Sequence, residues 1–514
     1  MEACSGCHSK IYASYQKTAM ARTSGPATEG LISGEFEHAA SGVHYRVYTD
    51  KGAAWLAYER PGDPAVRGTR ELLYFIGSGR RGRTYLFSDD GFVFESPINW
   101  YAQKKVWDMA PAYQSVKHIP MNLPTTASCL TCHTSNMQTP GLGTENKYTL
   151  PLFAHSGITC ERCHGPGAAH ISTNAAILNP SKLPPSRRDD ICMQCHLEAS
   201  IAIQRPGKHL YDFRPGDELS NYVSYFELAG DGSQNSNAFG QFEALAQSVC
   251  KRKSGDAMSC MSCHDPHFSP SPEEKVSFYR SKCLACHGAS FGAKHHPDKP
   301  DCAQCHMPAI SSAQFAHTQA TDHRILRFPL MPGLSPSAPS KPFLTRFPPD
   351  SAKEDLRALG LAWTSLAESG MESAMPEAEE VVHRAVQENP NDPALLAAAG
   401  YFEQLRQRFG EAREHYQRAL ELDPYDNDAA TNLGVIEAQE GHIDSAVSLW
   451  QQAFERAPWK SAIGMNLVRV FCSEGQYDKA RSHLERVLEF NPDLPEAKTL
   501  SQYLSAHPPS CTPP

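Results

Sequence analysis

The chain has 514 residues, with 48 Lys and Arg against 57 Asp and Glu and a formal net charge of −9. That length allows two or more domains with cores of their own, while the mild acidity leaves no basic footprint for nucleic acid. No apolar run approaches the roughly 20 residues of a membrane span, so the expectation is no nucleic acid and no membrane span. Seventeen cysteines and 23 histidines are the unusual figures.

The chain opens on MEACSGCH, with a first cysteine at Cys4 and no apolar secretory segment. CSGCH closes on His8. Up to Cys129, short β-rich runs follow: HYRVYT, AWLAYE, ELLYFIG, RTYLF and GFVFE, punctuated by TDKG and SDDG. They predict a small antiparallel β insert over about 34–100. GSGRRGR at 77–83 reads as a basic turn, because no GKS or GKT supports a nucleotide site. CLTCH then closes on His133, CERCH on His164, CMQCH on His196, CMSCH on His264, CLACH on His287 and CAQCH on His306.

Composition alone would produce roughly 0.025 matches to CxxCH, and seven are present. Two cysteines three apart span one helical turn, so both sulfurs can form thioethers to the vinyl groups of one haem. The next residue then turns its imidazole to the iron. A disulfide framework gives no reason for a histidine after every second cysteine, and a zinc site does not demand one. The expected cofactors are seven haem c groups (iron), held by Cys4 and Cys7, Cys129 and Cys132, Cys160 and Cys163, Cys192 and Cys195, Cys260 and Cys263, Cys283 and Cys286, and Cys302 and Cys305. The seven motif histidines are the proximal ligands.

Seven haems need up to seven further ligands. Eleven histidines stand outside the motifs in this region: His38, His44, His118, His155, His170, His209, His267, His295, His296, His317 and His323. His170 and His267, close behind CERCH and CMSCH, lie too near their own motifs to reach round the same haem and point to neighbouring ones. With His317 and His323 they lead the set of distal candidates, ahead of His38, His118, His155, His209, His295 and His296. Met20 in KTAMA is a thioether candidate that would raise one potential.

From 129 to 306 the motifs crowd together in Gly-, Pro- and Ser-rich sequence, where porphyrins must supply much of the buried apolar area. FPLMPGLSPSAPSKPFLTRFPPD, 328–350, reads as a linker. Beyond it Pro390, Pro424, Pro458 and Pro492 recur every 34 residues, as do Ala378, Ala412, Ala446 and Ala480. This period, with a small residue early in the second helix and proline at its end, marks four tetratricopeptide repeats stacked as a solenoid. The first unit opens with an irregular helix near 352–369. The expected domains are a heptahaem cytochrome c domain at 1–327, the Pro/Ser linker at 328–350, repeats at 351–503 and a tail at 504–514. The fold class is mainly α: a haem-packed multihaem cytochrome domain with the small β insert, then the α-solenoid.

TCERCHGPGAAH and SCMSCHDPH resemble segments of the multihaem cytochromes related to hydroxylamine oxidoreductase and pentahaem nitrite reductase. CSGCHSKIYASYQKTAMA resembles the first haem segment of the small electron carriers of that superfamily, with Met20 standing where a histidine ligand is common. The resemblance covers roughly residues 1–330 and implies that His170 and His267 ligate neighbouring haems and that HTQATDHR supplies His317 and His323. No CxxCK, the mark of many nitrite reductases, is present. The expected function is electron transfer along the haems, with the repeats docking redox partner proteins or another copy, as in a filament. The alternative is an oxidoreductase acting on a small nitrogen or sulfur compound at one open haem. A scaffold with incidental haems gives no reason to keep fourteen cysteines in this pattern. Haem c attachment takes place outside the cytoplasm, so the expected location is periplasmic or extracellular. Cys250, Cys472 and Cys511 stand outside the motifs, with Cys472 expected as a buried inert thiol and Cys511 as free or bridging.

Overall fold

The computed structural model describes residues 1–197, 199–229, 240–295, 298–310, 321–327, 341–347 and 355–506. Its β-rich part is an eight-stranded antiparallel sheet: β1 (Ser24–Pro26), β2 (Gly34–His38), β3 (Val43–Asp50), β4 (Ala53–Arg60), β5 (Asp63–Ile76), β6 (Gly82–Asp89), β7 (Phe92–Tyr101) and β8 (Val106–Met109). β2 to β8 pair in chain order as a meander, β1 pairs with β5, and β8 returns beside β2, so the sheet curls towards a barrel. Alternation sets the faces: Val43, Tyr45 and Val47 on β3 and Ala54, Leu56 and Tyr58 on β4 point inward. At the β3–β4 and β6–β7 turns, Lys51 with Gly52 and Asp90 with Gly91 all take positive φ, the two-residue hairpin geometry that matches strand twist.

This sheet corrects the expected architecture. It runs from Ser24 to Met109 rather than over about 34–100. It encloses an aromatic core of its own that includes Tyr85, Phe87, Phe92 and Phe94. The N-terminal part is therefore no haem-packed helical domain with a small insert. The outer strands escaped notice because SGP and VWDM are too short to show alternation.

The motif-bearing part consists of short pieces: α1 (Glu2–Tyr15), α2 (Ala127–His133), α3 (Glu161–His164), α4 (Ala168–Thr173), α5 (Pro185–His196), α6 (Gln241–Gln247), α7 (Val249–Ser254), α8 (Cys260–Cys263), α9 (Lys275–His287), α10 (Ala289–Lys294) and α11 (Cys302–His306). A two-stranded pair, β9 (Thr134–Met137) with β10 (Phe153–Ser156), and a three-stranded sheet accompany them. The three-stranded sheet joins β11 (Ile201–Gln204), β12 (Val223–Ala229) and β13 (Phe343–Phe347). β13 comes from the segment expected to be a linker, whose residues 328–340 and 348–350 lie outside the described ones.

The repeats follow as antiparallel helix pairs: α12 (Leu356–Glu368) with α13 (Met375–Glu388), α14 (Pro393–Leu405) with α15 (Phe409–Leu422), α16 (Asn427–Gln439) with α17 (Ile443–Arg456) and α18 (Ser461–Ser473) with α19 (Tyr477–Phe490), then α20 (Pro495–Ala506). Ala378, Ala412, Ala446 and Ala480 are all fully buried where paired helices meet.

The solenoid is fastened at both ends to the rest of the chain. At its start, Ala358 and Ala362 of α12 pack on Phe226 of β12, Arg205 pairs with Asp355, and Arg357 donates to the Gln204 carbonyl at 3.0 Å. At its end, Trp459 and Phe490 join the aromatic core of the large sheet, each packing edge-on or tilted against Phe92 and Phe94 with centroids 5.3–5.9 Å apart. Beside them Asp493 accepts from Arg60 at 2.5 and 2.9 Å, from Lys498 at 3.2 Å and from the Ile119 amide at 3.0 Å. Among the described residues no helix is long and apolar enough to cross a membrane.

Candidate haem sites

Each CxxCH motif occupies the end of a helical turn. α2, α3, α5, α9 and α11 terminate at His133, His164, His196, His287 and His306, His264 caps α8, and α1 leaves helical geometry at His8. The turn is explicit at the third and fifth motifs, where the amides of His164 and His264 donate to the carbonyls of Cys160 and Cys263's partner Cys260, both at 2.9 Å. A helical turn puts residues i and i+3 on one face, so the cysteines of each motif address the same space.

Four motif histidines face a second histidine from elsewhere in the chain. His8 faces His170 with ring centroids 6.4 Å apart and planes 18° apart. His164 faces His267 at 5.9 Å and 14°, His264 faces His323 at 6.2 Å and 29°, and His306 faces His295 at 6.1 Å and 28°. Two metal–imidazole bonds of about 2 Å, plus about 1 Å from each nitrogen to its ring centre, sum to roughly 6 Å. The pairs therefore fit one metal between two imidazoles.

Hydrogen bonds behind the rings aim them. Nδ1 of His164, His306, His170 and His323 lies 2.9, 2.6, 2.8 and 2.9 Å from the carbonyls of Leu178, Leu326, Ala175 and Thr321. A carbonyl only accepts, so the proton sits on Nδ1 and Nε2 keeps its lone pair, as a metal-binding histidine requires. His133 Nδ1 meets Thr23 Oγ1 at 2.7 Å, and His264 Nδ1 meets the Tyr279 hydroxyl at 3.4 Å. Burial, then the neighbouring His323 and His196 rings, push the His264 imidazole down to about 4. Burial likewise lowers His196, to which Gln241 hydrogen-bonds.

Among the described residues no group of three or more His, Cys, Asp or Glu side chains gathers as around a bare metal ion. Two imidazoles leave the other positions of a metal open to a macrocycle such as haem, which the paired cysteines beside each site could anchor. Apolar side chains flanking the motifs, including Ile11, Ile171, Val249, Phe268 and Phe291, are exposed and suited to cover such a group. When bound, haem supplies reversible one-electron chemistry at its iron.

The other candidates sit elsewhere. His38 is buried in the large sheet and spends both nitrogens, on Ser41 Oγ and the Gln114 carbonyl. His44 lies on β3, 3.9 Å from Glu35. His118 lies 3.5 Å from Asp493 at the solenoid junction. His155 is exposed on β10 opposite Ser135, and His209 bonds Gln204 and stacks on Tyr211 at 4.7 Å. Met20 begins a short 3-10 turn, and its carbonyl accepts from the Ile158 amide. His296 and His317 lie outside the described residues. Cys250 is a free thiol, whereas Cys472 is disulfide-bonded, which corrects the inert-thiol expectation. Cys511 lies outside the described residues.

Several neighbours of the motifs carried no sequence signal. Tyr15 sets its ring edge-on to His267 at 6.3 Å while its hydroxyl donates to the Ile158 carbonyl at 2.7 Å. The Cys129 thiol donates to Glu95 Oε1 on β7 at 3.6 Å; burial raises that carboxyl above the ordinary range. Tyr225 and Glu227 share one face of β12, and the buried Glu243 accepts from the Ala199 amide at 2.6 Å. Burial first, then the charge of Glu243, push Glu227 up to about 8.

Residues 99–165 match the family model of cytochrome c554 and c-prime, a span that holds the second and third motifs. Residues 437–502 match the tetratricopeptide repeat model. No curated protein matches the chain. Among solved structures, a crystal structure of MamA is 18% identical with a TM-score of 0.24, over 26% of this chain and 78% of that one. The Cut9–Hcn1 hetero-tetramer of the APC/C is 20% identical with a TM-score of 0.25, over 28% and 29%. A tetratricopeptide repeat protein from Parabacteroides merdae is 18% identical with a TM-score of 0.24, over 27% and 54%. The family matches hint at haem c and electron transfer in the motif region and at protein interaction through the repeats.

Proposed function

We propose that this chain is a multihaem electron-transfer protein carrying seven covalently attached haem c groups. The observation that carries the reading is the set of four motif histidines, each facing a second histidine at a spacing suited to one iron. In this reading His8, His133, His164, His196, His264, His287 and His306 bind from the proximal side. His170, His267, His323 and His295 bind opposite His8, His164, His264 and His306. The fourteen motif cysteines form the thioethers. Backbone carbonyls behind Nδ1 hold the imidazoles in one tautomer and orientation, so little rearranges when an electron arrives. Two imidazoles on an iron leave no position for a substrate and favour low potentials. The protein works outside the cytoplasm, periplasmic or extracellular, and the repeat surface left free by the two docked ends binds a redox partner or another copy.

Intact-mass measurement combined with low-temperature EPR of the oxidised protein tests the reading. The expected result is a mass excess of seven haems and low-spin signals for the four bis-histidine irons. Fewer haems, or high-spin iron at those four sites, overturns it.

A second reading, an oxidoreductase for a small nitrogen or sulfur compound, is favoured by one feature. Glu227, with its carboxyl raised to about 8 beside Glu243, is a group able to hold or release a proton near neutral pH. A high-spin signal that shifts on adding nitrite or hydroxylamine would select this reading.

A further inference from the structure

The seven motifs touch one another in an order that departs from their order in the chain. The first meets the third, where Cys4 lies against Cys160 and His8 faces His170. The third meets the fourth, Cys163 packing on the apolar cluster that includes Ile191 and Met193 of α5. The fourth meets the fifth: the Cys192 and Cys260 thiols lie together, and the Cys260 amide donates to Asp189 of α5 at 3.3 Å. The fifth meets the sixth through the Tyr279 hydroxyl of α9, 3.4 Å from His264 Nδ1. The sixth meets the seventh, with Cys283 against Cys302 and Arg280 of α9 donating to Cys302 Sγ at 3.8 Å.

The second motif stands off this line. Its Cys132 thiol donates to the Gln194 carbonyl inside the fourth motif at 3.6 Å and lies against Cys195. Its other side is walled by the large sheet and the segment leading into it, through Glu95 on Cys129 and Thr23 on His133.

We propose that the attachment sites form one row, first–third–fourth–fifth–sixth–seventh, with the second site a branch on the fourth. The fourth site is then the junction that any route from the second site must cross, and it lies between the two ends of the row. The first and seventh sites are the terminals at which one-electron redox proteins deliver or collect. At the first, Cys7 and His8 are exposed. The inference rests on the electron-transfer reading and adds to it an order of sites that neither chain order nor motif spacing contains.

The test uses the holoprotein. Cys250→Ser, Cys472→Ser, Cys511→Ser and Lys299→Cys leave one labelling thiol beside the seventh motif for a ruthenium polypyridyl complex. His170→Met marks the first site by raising its potential, which makes it the final acceptor. On a flash, the excited complex is oxidised by one electron and one ferric iron becomes ferrous; a sacrificial amine then re-reduces the ruthenium. Absorbance and EPR report which iron holds the electron. In the marked protein the electron is expected to settle at the first site. Replacing Cys192 and Cys195 by serine is expected to abolish that arrival. Replacing Cys129 and Cys132 by serine is expected to lower the total uptake by one electron, with electrons still reaching the first site.

His196→Met serves if the fourth-site serine variant fails to fold. It keeps the thioethers, raises that site's potential, and is expected to trap the electron at the junction and delay its arrival. Arrival unaffected by either change at the fourth site, or lost with the second site, overturns the order. Fewer than seven haems in the starting protein overturns the electron-transfer reading itself, which mass measurement separates from a failure of the order.

Discussion

His170 sits six residues beyond its own motif histidine, yet its ring faces His8, more than 160 positions upstream. The Ala175 carbonyl holds the proton on its Nδ1, so replacing the ring removes an aimed lone pair. His170→Ala is expected to turn one haem, at the first motif, from low spin to high spin in EPR, with His155→Ala leaving the spectrum unchanged. That His170 and His267 turn away from their own motifs was legible, because a histidine so close behind a motif has no short path round to its far side. The bonding of His38 to Ser41 and Gln114, and the pairing of His118 with Asp493, were not legible, since only tertiary contacts bring those groups to their rings. Thr23 and Glu95 carried no signal for the same reason: they reach the second motif from 110 and 34 positions upstream and belong to no motif.

At the scale of elements, the repeats tie a simple period to tight packing. Gly400 and Gly434, 34 residues apart, sit where the next helix presses an aromatic ring on the backbone. A Cβ on Gly434 would lie 2.5 Å from Trp450 Nε1, which donates to the Thr431 carbonyl at 3.0 Å, and one on Gly400 would lie 2.8 Å from Tyr416. Overpacking at such a site costs about 1–3 kcal/mol, more than the roughly 1 kcal/mol that alanine gains over glycine in a helix. Gly434→Ala should therefore lower the urea midpoint of the helical signal. Gly410→Ala, where a Cβ meets nothing within 4 Å, should raise stability by about 0.4–1 kcal/mol. The repeat helices were readable in outline because 34-residue spacing survives in one dimension. The full extent of the large sheet was not, because its outer strands are defined by pairing rather than by their own pattern.

At the scale of the whole molecule, the solenoid braces the chain's own sheets at both its ends. Burial would push the Asp493 carboxyl up, but hydrogen bonds from Arg60, the Ile119 amide and Lys498 outweigh it and hold it below its ordinary value of 3.8. A carboxyl depressed on folding contributes stability that is complete above its unfolded pKa and lost as pH falls through the lower folded value. Asp493→Ala leaves Arg60 without its buried partner and should cost about 3–5 kcal/mol at pH 7. The gap between the melting temperatures of wild type and variant should close as the pH drops below 3.8. A gap that persists unchanged in acid would place the loss in packing rather than charge.

The sequence by itself determined the local chemistry: seven CxxCH turns, the repeat period and the histidines crowded around the motifs. Each is set by neighbours within a few residues or by strict recurrence, and both survive in a string of letters. Only the tertiary structure decided which histidine faces which motif, that the second motif hangs on the fourth, and that both ends of the solenoid are fastened to the chain's own sheets. Those relations join residues up to hundreds of positions apart through side-chain packing and buried ion pairs, and no local spacing encodes such contacts.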